Sequence, residues 1–373
     1  MLDVTYQFEG AITRVLIGKG ALDHVGRRAA EQGDLAGLIG QAAPGRRALL
    51  VSDDNVAPLY AGRALEALRS AGFNVQQHVL PAGEGSKSLD EAIRVYEALA
   101  RAGVGRDGWV VALGGGVVSD LAGFVAATWL RGVRLVICPT TLESAVDACL
   151  GGKNAVNLPA AKNLVGTFHH PVLIAIEPSC LSSLSSRDFR AGLAESVKHA
   201  LTASTDFLSW HEAQAAEILA RNENVVSELI HRNLAIKAGI VAEDPREITG
   251  RRQVLNFGHT LGHAIERCAN YELRHGECVA LGMLAAVRMS LAMGLLHSNQ
   301  AQQIEALLQR LELPTRLTVP LPMREVLQAV GLDKKRHGAR LHWVLLEGVG
   351  RPVIRDDIDR THIETAIASL RSS

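Results

Sequence analysis

The spacing of apolar positions changes character once along the chain. In the first half, short unbroken apolar runs alternate with segments of helical spacing. "RRALLVSDDNV" reads as a buried strand over Ala48 to Val51 that runs into a polar turn, and "LYAGRALEALRSAGF" reads as a helix stopped by Gly72. "NVQQHVL" is a strand, "PAGEGSKS" a turn, and "LDEAIRVYEALARAGV" an amphipathic helix ending at Gly103. "GWVVALGGGVVSDLAGFVAATWL" is a strand, a glycine run and a helix, and "VRLVICPTT" is a strand again. This alternation predicts an α/β domain with a parallel sheet covered by helices, of the kind that binds ligands at the carboxyl ends of its strands. After about Ser185 almost every segment has helical period, with a late strand pair in "RLHWVLLEGVGRPVIR". The pattern predicts an α/β domain over residues 1–185 and a mostly helical domain over 186–373, packed tightly around a shared cleft. There is no internal repeat and no low-complexity linker.

Composition narrows the class. A chain of 373 residues is longer than one core usually organises. Lys+Arg and Asp+Glu are both 39, so there is no basic excess to hold a nucleic acid. No apolar run is long enough for a membrane span, and "MLDVTYQFEG" lacks the basic-then-apolar pattern of a signal peptide. The five cysteines are scattered, which points to a reducing cytoplasm rather than a disulfide framework.

Several turns carry chemistry. Gly114, Gly115 and Gly116 stand between a strand and a helix, where free N–H groups favour an anion. The run is not the GxGxxG fingerprint, and a tight strand-to-helix turn is an equal reading. Asp120 lies one turn into the helix, either as a helix-start charge or facing a cofactor. "SDDN" follows a strand, where an acidic side chain can bind ribose hydroxyls or merely form an Asx turn. Glu84 and Lys87 sit in a turn before a helix. Lys153, Asn157, Lys162 and Asn163 crowd "GGKNAVNLPAAKN", which reads as a phosphate-holding segment or a solvated loop.

His259 and His263 are four residues apart, on one helix face, and His275 follows in "RHGE". Thr260 stands where a zincin protease has Glu, so that reading fails. Glu195 offers a carboxylate from another helix. Two or three histidines with one carboxylate suit Zn2+ or a related ion, and the lack of Cys in the set points to a catalytic site. Lys198 falls one turn after Glu195 and Asn256 one turn before His259, which fits an anionic, oxygen-rich ligand.

In this order, "GEGSKS", "ALGGGVVSDLAGFVAATWLRG", "PTTLESAVDACLGGKNAVNLPAAKNLVGTFHHP", "GLAESVKHA" and "RRQVLNFGHTLGHAIE" with "HGE" resemble the 3-dehydroquinate synthases, within the sugar phosphate cyclases. The resemblance implies an α/β N-terminal parallel-sheet nucleotide-binding domain and a mostly α-helical C-terminal metal-binding domain, with the active site between them. It implies Glu195, His259 and His275 as ligands of one Zn2+ or Co2+, and His263 as a residue facing the substrate. It places NAD+ against Asp53, Asn55, Glu84, Lys87, Gly115, Gly116, Val117, Asp120, Thr140, Thr141, Asp147, Lys153, Lys162, Cys180 and Ser183. It places substrate against Arg131, Asp147, Lys153, Lys162, Asn163, Lys198, Lys237, Arg252, Asn256, His263 and either Lys334 or Lys335. Lys153, Lys198, Asn256, His263 and His275 are the implied catalytic set. Arg131 is implied to reach the phosphate site of a neighbouring subunit in a homodimer.

The implied reaction belongs to the shikimate pathway of aromatic amino-acid biosynthesis. It is a lyase step on 3-deoxy-D-arabino-heptulosonate 7-phosphate: transient oxidation by NAD+, phosphate elimination, re-reduction and aldol closure to 3-dehydroquinate. Lys237 and Arg252 suit its carboxylate. Other readings are a sister cyclase making 2-epi-5-epi-valiolone or 2-deoxy-scyllo-inosose, a glycerol-dehydrogenase-like enzyme, and a non-catalytic NAD- or sugar-phosphate-binding paralogue. Three departures from the family pattern stand out: Asn154 in place of Thr, Ala148 and Cys149 before "GGK", and one extra residue near Ile248.

Overall fold

The computed structural model describes residues 1–35, 46–270, 272–334 and 341–371. They form two compact units, one of Met1–Leu184 with Val226–Arg246, the other of Ser185–Val225 with Glu247–Ser373. The chain passes between the units more than once, since residues Val226–Arg246 belong to the first. Sequence period does not reveal this, since the returning segment is helical like its neighbours.

The first unit is built on a seven-stranded sheet in the order β1-β2-β9-β6-β5-β3-β4. Its strands are β1 (Leu2–Phe8), β2 (Ala11–Ile17), β3 (Arg46–Asp53), β4 (Phe73–Leu80), β5 (Trp109–Gly114), β6 (Arg134–Pro139) and β9 (Leu173–Ile176). All neighbours from β2 to β4 pair in parallel, and β1 closes one edge as an antiparallel hairpin with β2. The central strands are apolar without alternation because both faces are covered. Ala48, Leu50, Trp109, Val111, Val136 and Cys138 point one way and pack with α1 (Val25–Leu35) and α2 (Gly62–Ser70). The intervening residues face the other way, where α3 (Leu89–Arg101) and α4 (Gly116–Thr128) pack on the sheet. Two elements not expected from the sequence complete this unit: the β1–β2 hairpin, and a second hairpin of β7 (Lys153–Leu158) and β8 (Ala161–Phe168). The Gly- and Lys-rich stretch read as a possible solvated loop is thus paired strand.

The second unit holds α5 (Ser186–Ala203), α6 (Thr205–Leu219), α8 (His259–Cys268), α9 (His275–Ala292), α10 (Ser298–Arg310), α11 (Met323–Lys334) and α12 (Arg360–Ser369). The late strand pair forms as β10 (Trp343–Leu346) against β11 (Pro352–Arg355). The helix α7 (Glu223–Glu243) runs from this unit into the first. Helix α9 is the hub: thirteen of its residues, from Gly276 to Ser290, are buried. Among the described residues no helix is long and apolar enough to cross a membrane.

Candidate metal centre and nucleotide site

In the second unit, three helices meet at their polar residues. Helix α5 carries Glu195, α8 carries His259 and His263, and His275 opens α9. The backbones approach this closely because glycines stand at the points of contact. A Cβ at Gly276 would lie 1.9 Å from the Ala191 carbonyl oxygen, and one at Gly282 would lie 1.9 Å from that of Gly258. Gly258, the residue before α8, also has a φ of +80°, which side-chain-bearing residues rarely adopt.

The ring centroids of His259, His263 and His275 are 5.3 to 5.8 Å apart. One donor nitrogen from each lies within 4.8 Å of the others. Glu195 Oε1 stands 3.4 Å from Nε2 of both His259 and His275. Donors bound at 2.0–2.1 Å around one tetrahedral ion stand about 3.4 Å apart, the separation of Glu195 Oε1 from each of the two histidines, so this donor set suits a divalent metal. The other carboxylate oxygen of Glu195 pairs with Lys198 Nζ at 2.5 Å, both side chains being 2% exposed. Burial would raise the Glu195 carboxyl, but the Lys198 ammonium, and after it His259, outweigh burial and hold it well below the usual carboxylate range. The carboxylate is therefore charged and ready as a ligand. Nearby, Asn256 donates to Glu247 at 3.3 Å, and Arg252 is buried. Glu247 takes a left-handed φ of 56°, while Ile248 points to solvent. The segment expected to carry an extra residue is thus an exposed turn. Helix α11 ends at Lys334, whose side chain lies outside the described residues, as does Lys335 entirely.

In the first unit, the expected nucleotide-binding residues gather at the carboxyl ends of β3, β5 and β6. The register pairs Gly114 with Pro139, setting the glycine run beside Thr140 and Thr141. A Cβ on Gly115 would meet Thr141 at 2.8 Å, whereas one on Gly116 would enter open space. None of the three glycines has a positive φ. Among the described residues nothing demands glycine at position 116, but a ligand lying against the helix start would. The Thr140 hydroxyl is buried with no hydrogen-bond partner, a second sign that the set fits a bound polar group. Val117 lies in the first turn of α4. Asp120 pairs with Lys87; burial pushes its carboxyl up, against the pull of Lys87. Asn157 donates to Glu84 at 2.7 Å and accepts from the Asn163 N–H at 3.0 Å, while Lys162 lies 3.6 Å from Glu84. Lys237 donates to both the carboxylate and the carbonyl of Asp147, and Lys153 is exposed at the start of β7.

Asp53 forms the Asx turn, accepting from the N–H groups of Asn55 and Val56 at 3.0 Å each. Burial nevertheless raises its carboxyl. Cys180 belongs to the hydrophobic core, and burial pushes its thiol up to about 12. Its carbonyl accepts from Tyr60 and Ser183. Cys180 therefore serves as packing under the turn that ends at Ser183. Arg131 is exposed and, with Leu130, occupies left-handed backbone, φ 72° and 50°.

Two residues escaped the sequence reading. Glu247 supports Asn256, a contact across nine positions that no local period signals. Glu266 lies on the His259–His263 face of α8, three residues past His263, and its Oε2 is 3.3 Å from Nδ1 of His275.

Comparison with known proteins follows this geometry. Residues 77–191 match the family model described as 3-dehydroquinate synthase N-terminal, and residues 192–336 match 3-dehydroquinate synthase C-terminal. The 3-dehydroquinate synthase of Symbiobacterium thermophilum is 44% identical over 327 residues, 87% of this chain and 91% of that one. That of Xanthomonas oryzae pv. oryzae is 42% identical over 332 residues, 87% and 90% of the two chains. Among solved structures, a 2-deoxy-scyllo-inosose synthase complexed with carbaglucose-6-phosphate, NAD+ and Co2+ superposes with TM-score 0.87 at 25% identity, over 98% of this chain and 99% of that one. A 2-epi-5-epi-valiolone synthase from Streptomyces hygroscopicus subsp. jinggangensis with NAD+ and Zn2+ bound gives 0.83 at 27%, over 99% and 98%. An iron-containing alcohol dehydrogenase shares the fold at TM-score 0.65 and 14% identity, over 98% of each chain. The sequence motifs, the layered fold and these matches agree: this chain belongs to the 3-dehydroquinate synthase family.

Proposed function

We propose that this chain converts 3-deoxy-D-arabino-heptulosonate 7-phosphate to 3-dehydroquinate and phosphate, as a homodimer in the cytoplasm. The observation that carries the reading, in a chain of this family, is the placement of Glu195 Oε1 at 3.4 Å from both His259 and His275. These three residues hold the divalent metal, and His263 faces the substrate. When bound, NAD+ supplies a reversible hydride acceptor, and Zn2+ or Co2+ a Lewis acid for the substrate hydroxyls.

The protein's own groups do the positioning. Gly115, Gly116 and Val117 offer the α4 start to the dinucleotide phosphates, and Asp53 with Asn55 lies at the strand end suited to ribose hydroxyls. The neighbouring Glu84, Lys87, Asp120, Thr140, Thr141, Asp147 and the Cys180–Ser183 turn complete that site. Lys153, Lys162 and Asn163 bind the substrate phosphate and stabilise it as a leaving group. Lys237 and Arg252 bind the carboxylate, and a lysine at 334 or 335 adds a cation. Lys198, Asn256 and His263 orient the substrate hydroxyls, and the substrate phosphate itself accepts the departing proton. Arg131 extends into the partner's phosphate site. The two left-handed residues at its turn support this, because such backbone persists where it serves a contact. None of the five cysteines is in a disulfide, in keeping with a reducing compartment.

The test is to incubate the protein with 3-deoxy-D-arabino-heptulosonate 7-phosphate, NAD+ and Zn2+ or Co2+, and to measure phosphate and dehydroquinate. Phosphate release from sedoheptulose 7-phosphate but not from this substrate would sink the reading in favour of a sister cyclase. His259→Ala is expected to lose metal and activity together while circular dichroism reports a folded protein. Unfolding on chelation would instead make the metal structural.

A further inference from the structure

We infer that Glu266 is a positioning residue for the metal centre, holding the His275 ring so that Nε2 faces the ion. The inference rests on the reading of His275 as a ligand. His275 is gripped from both ends: Nε2 lies 3.4 Å from Glu195 Oε1, and Nδ1 lies 3.3 Å from Glu266 Oε2. A histidine ligating through Nε2 must carry its proton on Nδ1, and that N–H needs an acceptor to fix tautomer and ring orientation. Glu266 is that acceptor, and it is 7% exposed.

The need is particular to His275. It is the first residue of α9, so no preceding helical turn confines its side chain. His259 is held differently, with Nδ1 placed 3.2 Å from the Phe257 carbonyl oxygen. One ligand thus has a backbone acceptor and the other a side-chain acceptor, and only the second can be removed by substitution. Helix α8 therefore presents three functional residues on one face, at i, i+4 and i+7: His259, His263 and Glu266.

The experiment measures Zn2+ affinity by chelator competition and the visible absorption of the Co2+ form, for the parent, Glu266→Ala, Glu266→Gln and His275→Ala. Glu266→Ala is expected to weaken Zn2+ binding about 10- to 100-fold and to alter the Co2+ spectrum. Glu266→Gln keeps an acceptor oxygen and is expected to recover most of the affinity. If Glu266→Ala does not fold, Glu266→Met fills the same space without an acceptor and takes its place against Gln. Parent-like Zn2+ affinity in the variant lacking an acceptor, or a Gln variant as weak as it, would overturn the inference. Parent-like affinity in His275→Ala would instead remove the ligand assignment beneath it.

Discussion

Asn154, singled out in the sequence, ties two elements of the first unit together. Its amide donates to the carbonyls of Gly152 and His169, at 2.8 and 3.0 Å, and it is 5% exposed. The side chain lies over Gly123 of α4, where an added Cβ would stand 1.7 Å from Asn154 Oδ1. Asn154 therefore locks the root of the β7–β8 hairpin onto the helix. Gly123→Ala is expected to cost about 1–3 kcal/mol through overpacking. In an Asn154→Ala background the contacts at 1.7 and 2.4 Å are gone and only the tight one to the Cβ of residue 154, at 3.2 Å, remains, so the same change should cost much less, helped by the preference of about 1 kcal/mol for Ala over Gly in a helix. Denaturant titration of the four proteins measures this coupling, and additive effects would refute the pairing. The sequence could not show the partner of Asn154, because Gly123 lies thirty-one positions earlier and touches it only across the packed layers.

At the scale of elements, the metal centre depends on how close α5, α8 and α9 come. Gly276→Ala drives a methyl group into the Ala191 carbonyl and must shift the start of α9, which bears His275. The expected result is a lower melting temperature and a loss of Zn2+ affinity larger than stability alone explains. Gly239→Ala in α7 is the control: nothing lies within 4 Å of the new Cβ, so it should be neutral or stabilising. Equal effects of the two substitutions in melting and Zn2+ titration would contradict this account. The histidine spacing on α8 was legible because a helix repeats every 3.6 residues. The β7–β8 hairpin was not, because glycine, lysine and asparagine have low strand propensity and only pairing makes them strand.

For the whole molecule, one pH effect follows from burial. Burial lowers the His169 imidazole below 6.5, although its bond to the Val133 carbonyl opposes this. A histidine depressed in the folded state adds stability that is complete above the unfolded value and is lost as pH falls through it. Unfolding free energy is thus expected to drop as pH falls below 6.5. Burial also pushes the His263 imidazole down, to about 3, so His169→Gln is expected to remove only part of that slope. This window is separate from that of Asp3 and Glu31, whose carboxyls are held below 3.8 and 4.5 chiefly by Arg14 and Arg28 respectively. An unchanged slope in the variant, measured by denaturant titration from about pH 7.5 to about pH 5, would assign the effect to other groups.

The sequence by itself determined the class of the fold, the order of its central strands and helices, and the family to which the chain belongs. Each of these is written in a local period or a short motif. Tertiary structure decided the rest: that Val226–Arg246 rejoins the first unit, that Cys180 is core, that Glu195 lies between Lys198 and two histidines, and that Glu266 comes within 3.3 Å of His275. These relations are between residues far apart in the chain, and distance across a packed interior has no period along it.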